Sequence, residues 1–355
     1  MTTQGTDAKP QNELLNTLLD NFKIWTKKLS HPGLWITIVG VFILGYLPIA
    51  DQSPEAAFAN ATARESTFTI LMSIVLVSSL NILLGYTGYV SFGHIVFYGL
   101  GGYVGLYTII EHQWPLWKAM AAGGAAAGVL ALVLGSAILR LRGAYFALAT
   151  IGINEAMRAF VSNYDPFGGA VGLSIHFRVY RETYGSYQDA FLVMYKAMLG
   201  LAIAAVVLSY LVKSSKFGLG LMAIREDEDA SDIMGVIPYR SKIIAYMLSA
   251  ILPGMVGVVF FFKASTIEPA AAFKLHTSIE WLVMIMLGGF GTIMGPVLGA
   301  YGYQNLRTIL LTSEFFKNIQ LAVAGLMLLG IILFIPAGLI GWLRRHISFT
   351  RRVLT

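Results

Sequence analysis

The chain has 355 residues, 56% of them hydrophobic and only 12% charged, with no cysteine and a formal charge of +6. That charged fraction is about half that of a soluble globular domain, and several apolar runs reach the roughly 20 residues needed to cross a hydrocarbon core about 30 Å thick. The absence of cysteine excludes disulfides and thiolate chemistry, and the roughly 10-residue alternating segments of a membrane β-barrel do not occur.

The class is therefore an all-α polytopic membrane protein. Residues 1–33 form a polar N-terminal segment carrying Lys9, Lys23, Lys27 and Lys28. Within it Leu14, Leu15, Leu18, Leu19, Phe22 and Trp25 recur at helical spacing opposite Glu13, Asn16, Asp20, Asn21 and Lys27, the pattern of a helix lying in the membrane interface. Ala57-Phe58-Ala59 superficially resembles a cleavage site, but the basic region before it is far too long for a signal peptide, so the first apolar helix reads as uncleaved.

A transmembrane region then occupies 34–343, and a basic tail 344–355. Apolar segments fall near 34–50, 67–84, 93–110, 118–139, 143–161, 190–212, 243–262, 278–294, 295–312 and 318–341, giving about ten transmembrane segments, several interrupted by Gly. With both termini inside, the cytoplasmic segments 1–33, 140–142, 213–242 and 344–355 hold 15 Lys and Arg against 8 in the outer segments. This bias sets the expected orientation, because cytoplasmic loops retain basic residues.

Two polar, glycine-rich stretches interrupt long charge-free runs. "LGYTGYVSFG" (Leu84 to Gly93) lies within Ser66–Ile110, and "LGGFGTIMG" (Leu287 to Gly295) within 281–306. Both begin Leu-Gly-x-x-Gly and they lie 203 residues apart, a weak two-half repeat. Irregular backbone at membrane depth must be buried in protein or line an aqueous cavity, and paired Gly-interrupted segments in the two halves point to a solute path near the midplane. The other reading of such glycines is close helix packing.

The long hydrophilic segment 213–242 balances five basic against five acidic residues. Met222–Met234 reads as one short helix with an acidic first half, which Gly235 ends and Pro238 keeps from continuing. Asp229-Ala230-Ser231-x-x-x-Gly235 has the form of the Glu-Ala-Ala-x-x-x-Gly signature by which ABC permeases dock on their ATPase. Arg225, Glu226, Asp227, Glu228, Asp229, Ala230 and Gly235 are the candidate coupling residues.

Five ordered blocks carry a specific resemblance: "LNILLGYTGYVSFGH" (80–94), "LRGAYFALATIGINEAMR" (141–158), "GGAVGL" (168–173), "FGLGLMAIREDEDASDIMGV" (217–236) and "LGGFGTIMGPVLGA" (287–300). In these the chain resembles the branched-chain amino acid ABC transporter permease family, the LivM-like inner-membrane subunit. The resemblance implies a heterodimer with a second, LivH-like permease, two cytoplasmic ATPase subunits and an extracytoplasmic solute-binding protein. It implies a multi-pass protein of the cell inner membrane that takes up leucine, isoleucine, valine or related amino acids. Urea and short-chain amide systems use very similar permeases.

No Gly-x-x-x-x-Gly-Lys-Ser/Thr loop is present, so this chain cannot itself cradle nucleotide phosphates. Nor does it offer a His-Glu-x-x-His pattern or other metal-site clustering, and no cofactor is expected. The expected path is lined by Gly85, Tyr86, Thr87, Gly88, Tyr89, Ser91 and His94, with Gly288, Gly289 and Gly291 opposite. His94 reads equally as a solute contact or as a partner for freed carbonyls.

Glu155 and Arg158, at i and i+3, form the candidate intramembrane charge pair, which reads as orienting helices without touching solute. Glu280 reads as a solvated residue at the outer edge of its span. The rival readings are an ion-coupled secondary transporter, for which Glu155 is the candidate coupling carboxylate, and a membrane-embedded enzyme, which would need a nucleophile or metal constellation.

Overall fold

The computed structural model describes residues 32–50, 57–312 and 338–346, together with Leu326 and Gly330. The interfacial helix expected in 1–33, most of the apolar segment 318–341 and the end of the basic tail lie outside the described residues. Each apolar segment from 34–50 to 295–312 coincides with a helix. These are α1 (Pro32–Ala50), α2 (Ala57–Thr87), α3 (His94–His112), α4 (Leu116–Ile138) and α5 (Ala144–Ser162). After a 3-10 turn at Asp165–Phe167 come β1 (Leu173–Ser174), α6 (Phe177–Tyr184) and α7 (Tyr187–Ser214). Segment 213–242 carries α8 (Lys216–Glu226), α9 (Glu228–Ile233) and the start of α10 (Pro238–Ala264). Then follow β2 (Thr266–Ile267), α11 (Pro269–Ala272), α12 (Leu275–Gly288), α13 (Met294–Thr312) and α14 (Gly338–His346). Six helical segments among the described residues are long and apolar enough to cross a membrane.

The bundle is built on α10, which packs against α3, α4 and α2, while α1 and α7 pack on the outer side of α2. Lipid supplies no hydrophobic drive between helices, so close backbone approach and dispersion must do this work. Glycine permits the approach. A Cβ on Gly101 of α3 would lie 2.3 Å from the carbonyl oxygen of Gly254, and one on Gly257 would lie 2.0 Å from that of Tyr98. Pro253 inside α10 lacks the N–H that would bond back to Ser249, and the buried His94 ring meets Ser249 at that turn.

At the end of the bundle away from segment 213–242, β1 and β2 form a two-stranded antiparallel pair with Leu173 opposite Ile267. Apolar periodicity could not reveal this pair, because each strand has only two residues. The "GGAVGL" block delivers it: Gly172, at φ +84, lies so close to Ile267 that a Cβ would sit 1.9 Å from the Ile267 oxygen. The chain then leaves helical geometry between α11 and α12, and Asn154 of α5 donates to the freed carbonyl of Phe273 at 2.9 Å.

Glu280 departs from the sequence expectation. It is 5% exposed rather than solvated, and it faces Arg307 of α13 at 3.2 Å and His276 at 3.3 Å. α12 already begins at Leu275, so Glu280 lies more than a turn inside the helix. Glu280 and Arg307 sit at equal distances either side of Ile293–Met294, as partners across a helical hairpin should.

A side chain at Gly257 would have to displace backbone, which costs on the order of 1–3 kcal/mol or more in overpacking. Gly257→Val is expected to lower the thermal unfolding midpoint in detergent by several degrees. Gly200→Ala, where no atom lies within 4 Å of the added Cβ, is expected to leave it unchanged.

Candidate functional site: the coupling segment and the glycine breaks

The two glycine-rich stretches are true interruptions of helix. α2 ends at Thr87 and α3 starts at His94, while α12 ends at Gly288 and α13 starts at Met294. Gly88 (φ +77), Gly289 (φ +109) and Gly291 (φ +73) occupy backbone conformations that cost an L side chain strain. Both breaks lie at the ends of their helices, against segment 213–242, rather than half-way along a span.

Asn81, fully buried on α2, clamps one break to the other. Its Oδ1 accepts from Gly291 N at 2.8 Å and its Nδ2 donates to Thr292 O at 2.9 Å. Arg225, in the last turn of α8, completes the junction. Its guanidinium donates to Gly85 O at 2.8 Å, at the C-terminal end of α2, where free carbonyls and the helix dipole favour a cation. Cβ atoms on Gly88 and Gly291 would lie 3.0 Å and 2.9 Å from Arg225 atoms. These glycines therefore make room for an arginine.

The other polar residues of the first break turn inward. Tyr86 bonds Ser209 of α7 at 2.7 Å, and Thr87 donates to Leu83 O. Ser91 Oγ accepts from Gly93 N, and Phe92 N is satisfied by Thr150 of α5. His94 is 1% exposed and lies 3.0 Å from Ser249 Oγ. Ser249 already donates to Tyr246 O, which assigns the His94 proton to Nε2. In the second break, Gly288 is a packing residue: its Cβ would fall 1.8 Å from Gly295 O.

Segment 213–242 folds as two helices, not the single helix expected over Met222–Met234. Asp227 divides them. Its carboxylate accepts from the N–H groups of Asp229 (2.9 Å) and Ala230 (3.0 Å), an N-cap that starts α9 afresh. Gly235 ends α9 as expected, at φ +88, with Gly235 N bonded to Asp232 O and Val236 N to Ser231 O. Pro238 then occupies the first turn of α10.

The first turn of α9 is tied to three other elements. Lys242 of α10 is 2% exposed, and its ammonium donates to Glu228 Oε1 (2.7 Å) and to the Tyr89 hydroxyl (2.8 Å). Tyr89, from the first break, in turn donates to Glu228 Oε2 at 2.8 Å. Arg142, in the turn between α4 and α5, forks onto Asp229 at 2.9 and 3.2 Å.

Burial pushes the Glu228 carboxyl up, but hydrogen bonds from Lys242 and Tyr89 and the charges of Lys242 and Arg142 outweigh it and hold the group below the usual carboxylate range. Arg142 likewise holds Asp229 down. The Arg142–Asp229 fork is exposed and screened by water, so it contributes little. Removing the partner of a buried ammonium, by contrast, costs roughly 3–5 kcal/mol, which makes Lys242–Glu228–Tyr89 the contact that matters.

The sequence-derived residues thus fall into groups. Gly85, Gly88 and Gly291 meet Arg225; Tyr89 meets Glu228; Tyr86, Ser91 and His94 serve the interior. Glu155 and Arg158 pair at 2.9 Å on α5, away from both breaks. Sequence reasoning missed Asn81, Lys242 and Arg142. It also missed an exposed apolar cluster at the end of α9: Ile233 (87%), Met234 (84%) and Ile237 (54%). Between the first break, Arg142 and α8 lies an open cavity of about 550 Å³ reached by Thr87, Gly88, Tyr89, Ala147, Arg225 and Glu228.

Residues 64–332 match the family described as branched-chain amino acid transport system / permease component. The high-affinity branched-chain amino acid transport system permease protein LivM of Escherichia coli (strain K12) is 27% identical, over 87% of this chain and 76% of the relative. LivM of Salmonella typhimurium is 26% identical over the same shares. The autoinducer 2 import system permease protein LsrC of Klebsiella pneumoniae is 26% identical over 44% of this chain and 46% of the relative. No solved structure matches the chain. With residues 64–332 matched by the family model, the chain belongs to the branched-chain amino acid transport system permease family and is a non-catalytic permease component of an ABC transporter.

Proposed function

We propose that this chain is the permease subunit of an ABC importer for branched-chain amino acids, and that segment 213–242 converts the closure of a separate ATPase into movement of the two glycine breaks. The observation that carries the reading is the double attachment of the coupling segment. Arg225 holds Gly85 beside Gly291, and Glu228 holds Tyr89 and Lys242. A push on α9 reaches both breaks without passing through solvent. The substrate assignment rests on the LivM relatives, whose printed names specify branched-chain amino acids.

The proposed assembly has a second, LivH-like permease, two cytoplasmic ATPase subunits and an extracytoplasmic solute-binding protein, in the cell inner membrane with both termini cytoplasmic. Ala230, Ile233, Met234 and Ile237 are the ATPase-facing residues, because an apolar cluster exposed at the soluble end of a membrane protein marks a protein contact. Glu226, whose side chain is 76% exposed, adds charge at its edge. Asp227 and Glu228 act inside the segment, as cap and as the partner of Lys242. The solute route opens at this end beside Thr87, Gly88 and Tyr89, where the cavity lies. The remaining expected path residues, Gly85, Tyr86, Ser91, His94, Gly288, Gly289 and Gly291, shape the gate from behind.

In proteoliposomes with all subunits supplied, leucine uptake is expected to require ATP inside the vesicle and to survive collapse of the proton and sodium gradients. Uptake that follows an ion gradient, or that takes urea or a short-chain amide in preference to leucine, contradicts the assignment. Ile233→Asp combined with Met234→Asp is expected to abolish co-purification of the ATPase without changing the thermal midpoint of the permease. Glu228→Leu strands the buried ammonium of Lys242 and is expected to lower that midpoint, by an amount corresponding to about 3 kcal/mol.

A further inference from the structure

Helix α5 is open on one side. Phe146, Thr150, Asn154 and Val161 form its buried face. On the other face Tyr145 and Leu148 are 74% and 64% exposed, and no atom lies within 4 Å of a Cβ built on Gly152. The same face carries Glu155 and Arg158, whose side chains are 50% and 47% exposed. Their mutual ion pair, at 2.9 Å, is the only hydrogen bond or ion pair either charged group makes among the described residues.

Depth makes this arrangement informative. Glu155 lies roughly 16 Å along α5 at 1.5 Å per residue, and its neighbour Asn154 is buried against the non-helical Phe273 carbonyl. A charged side chain facing hydrocarbon near the centre of a helix costs at least about 2.5–3.5 kcal/mol. An i,i+3 pair returns only about 0.2–0.5 kcal/mol, and α5 is not one of the six helices apolar enough to cross a membrane, so its charged face is a poor fit to lipid. The remaining guanidinium N–H groups and the second carboxylate oxygen need partners, which an aqueous route would supply.

We propose that the open face of α5 is a wall of the aqueous solute route, and that Glu155 and Arg158 form an exchange site for the two ends of an α-amino acid zwitterion. This deepens the amino-acid reading above and rests on it. Arg158 takes the carboxylate of the solute through its planar fork, and Glu155 takes the ammonium group. The protein pair opens as the solute pairs form and closes behind it. One ion pair becomes two and then one again, so the site never holds net charge. A resting pair of small free energy keeps opening cheap. Leu148 and the open space over Gly152 receive the aliphatic side chain.

The chain contains no cysteine, so single cysteines report cleanly on this subunit. Glu155→Cys, Arg158→Cys and, as a reference at an exposed position of the apolar helix α1, Val39→Cys are exposed to a membrane-impermeant methanethiosulfonate in the assembled transporter in proteoliposomes. Modification of this chain is read by mass. Labelling at 155 and 158 is expected to be at least tenfold faster than at 39 and to slow when leucine is added at saturating concentration. Glu155→Gln and Arg158→Gln are each expected to reduce ATP-driven leucine uptake at least tenfold with the ATPase still bound.

Labelling no faster than at 39, in an assembly whose parent transports leucine, means that a partner helix covers the face and overturns the proposal. Fast labelling with normal uptake by both Gln variants overturns the exchange role. If the parent assembly is active on another solute but not on leucine, the amino-acid reading fails and the exchange site with it. The labelling rates then decide the aqueous wall separately.

Discussion

Lys242 is an ammonium almost without water, 2% exposed at the start of a membrane-spanning helix. Its ammonium is hydrogen-bonded there by Glu228, which reaches it from α9, and by Tyr89 from the first glycine break. Such a pair adds little net stability, since removing two charges from water costs nearly what their attraction returns. Its effect is on geometry. Any displacement of α9 that keeps the ammonium satisfied must carry Tyr89 and α10 with it.

Arg225 bonds the Gly85 carbonyl of the first glycine stretch and lies against Gly291 of the second. A guanidinium beside the carbonyl of Gly85 is favoured by the dipole of α2, and it fills space that only glycine leaves at Gly88 and Gly291. Asn81 closes the circuit by bonding both the N–H of Gly291 and the carbonyl of Thr292. The glycine motifs far apart in sequence thus form one junction with segment 213–242, and their conformational freedom matters because of what packs against them.

Much of this was legible in the sequence, for identifiable reasons. Long apolar runs located the helices, and Leu-Gly-x-x-Gly located both breaks, because positive φ and absent side chains demand glycine. Gly235 and Pro238 marked the end of α9 and the start of α10. The role of Asp227 was hidden: an acidic run of four residues reads as a solvated face, and only geometry shows that one member caps a helix and another neutralises a buried lysine. Lys242 was invisible because a lysine at the edge of a span normally snorkels to water. Glu280 was misplaced because its partner, Arg307, becomes a neighbour only when α12 and α13 fold back on each other. Neither periodicity nor composition could show that one face of α5 is left bare, since exposure is a property of the whole bundle.

In the proposed coupling, force applied to α9 reaches both breaks through Arg225 and Lys242. Hydrogen exchange at the backbone amides of 88–93 and 289–293, measured with and without the docked ATPase, tests it most directly. In the parent protein, docking is expected to slow exchange in both stretches. In a chain carrying Arg225→Ala and Lys242→Met that still binds the ATPase, docking is expected to leave both unchanged. An equal response of the breaks in that variant would mean that neither Arg225 nor Lys242 carries the force.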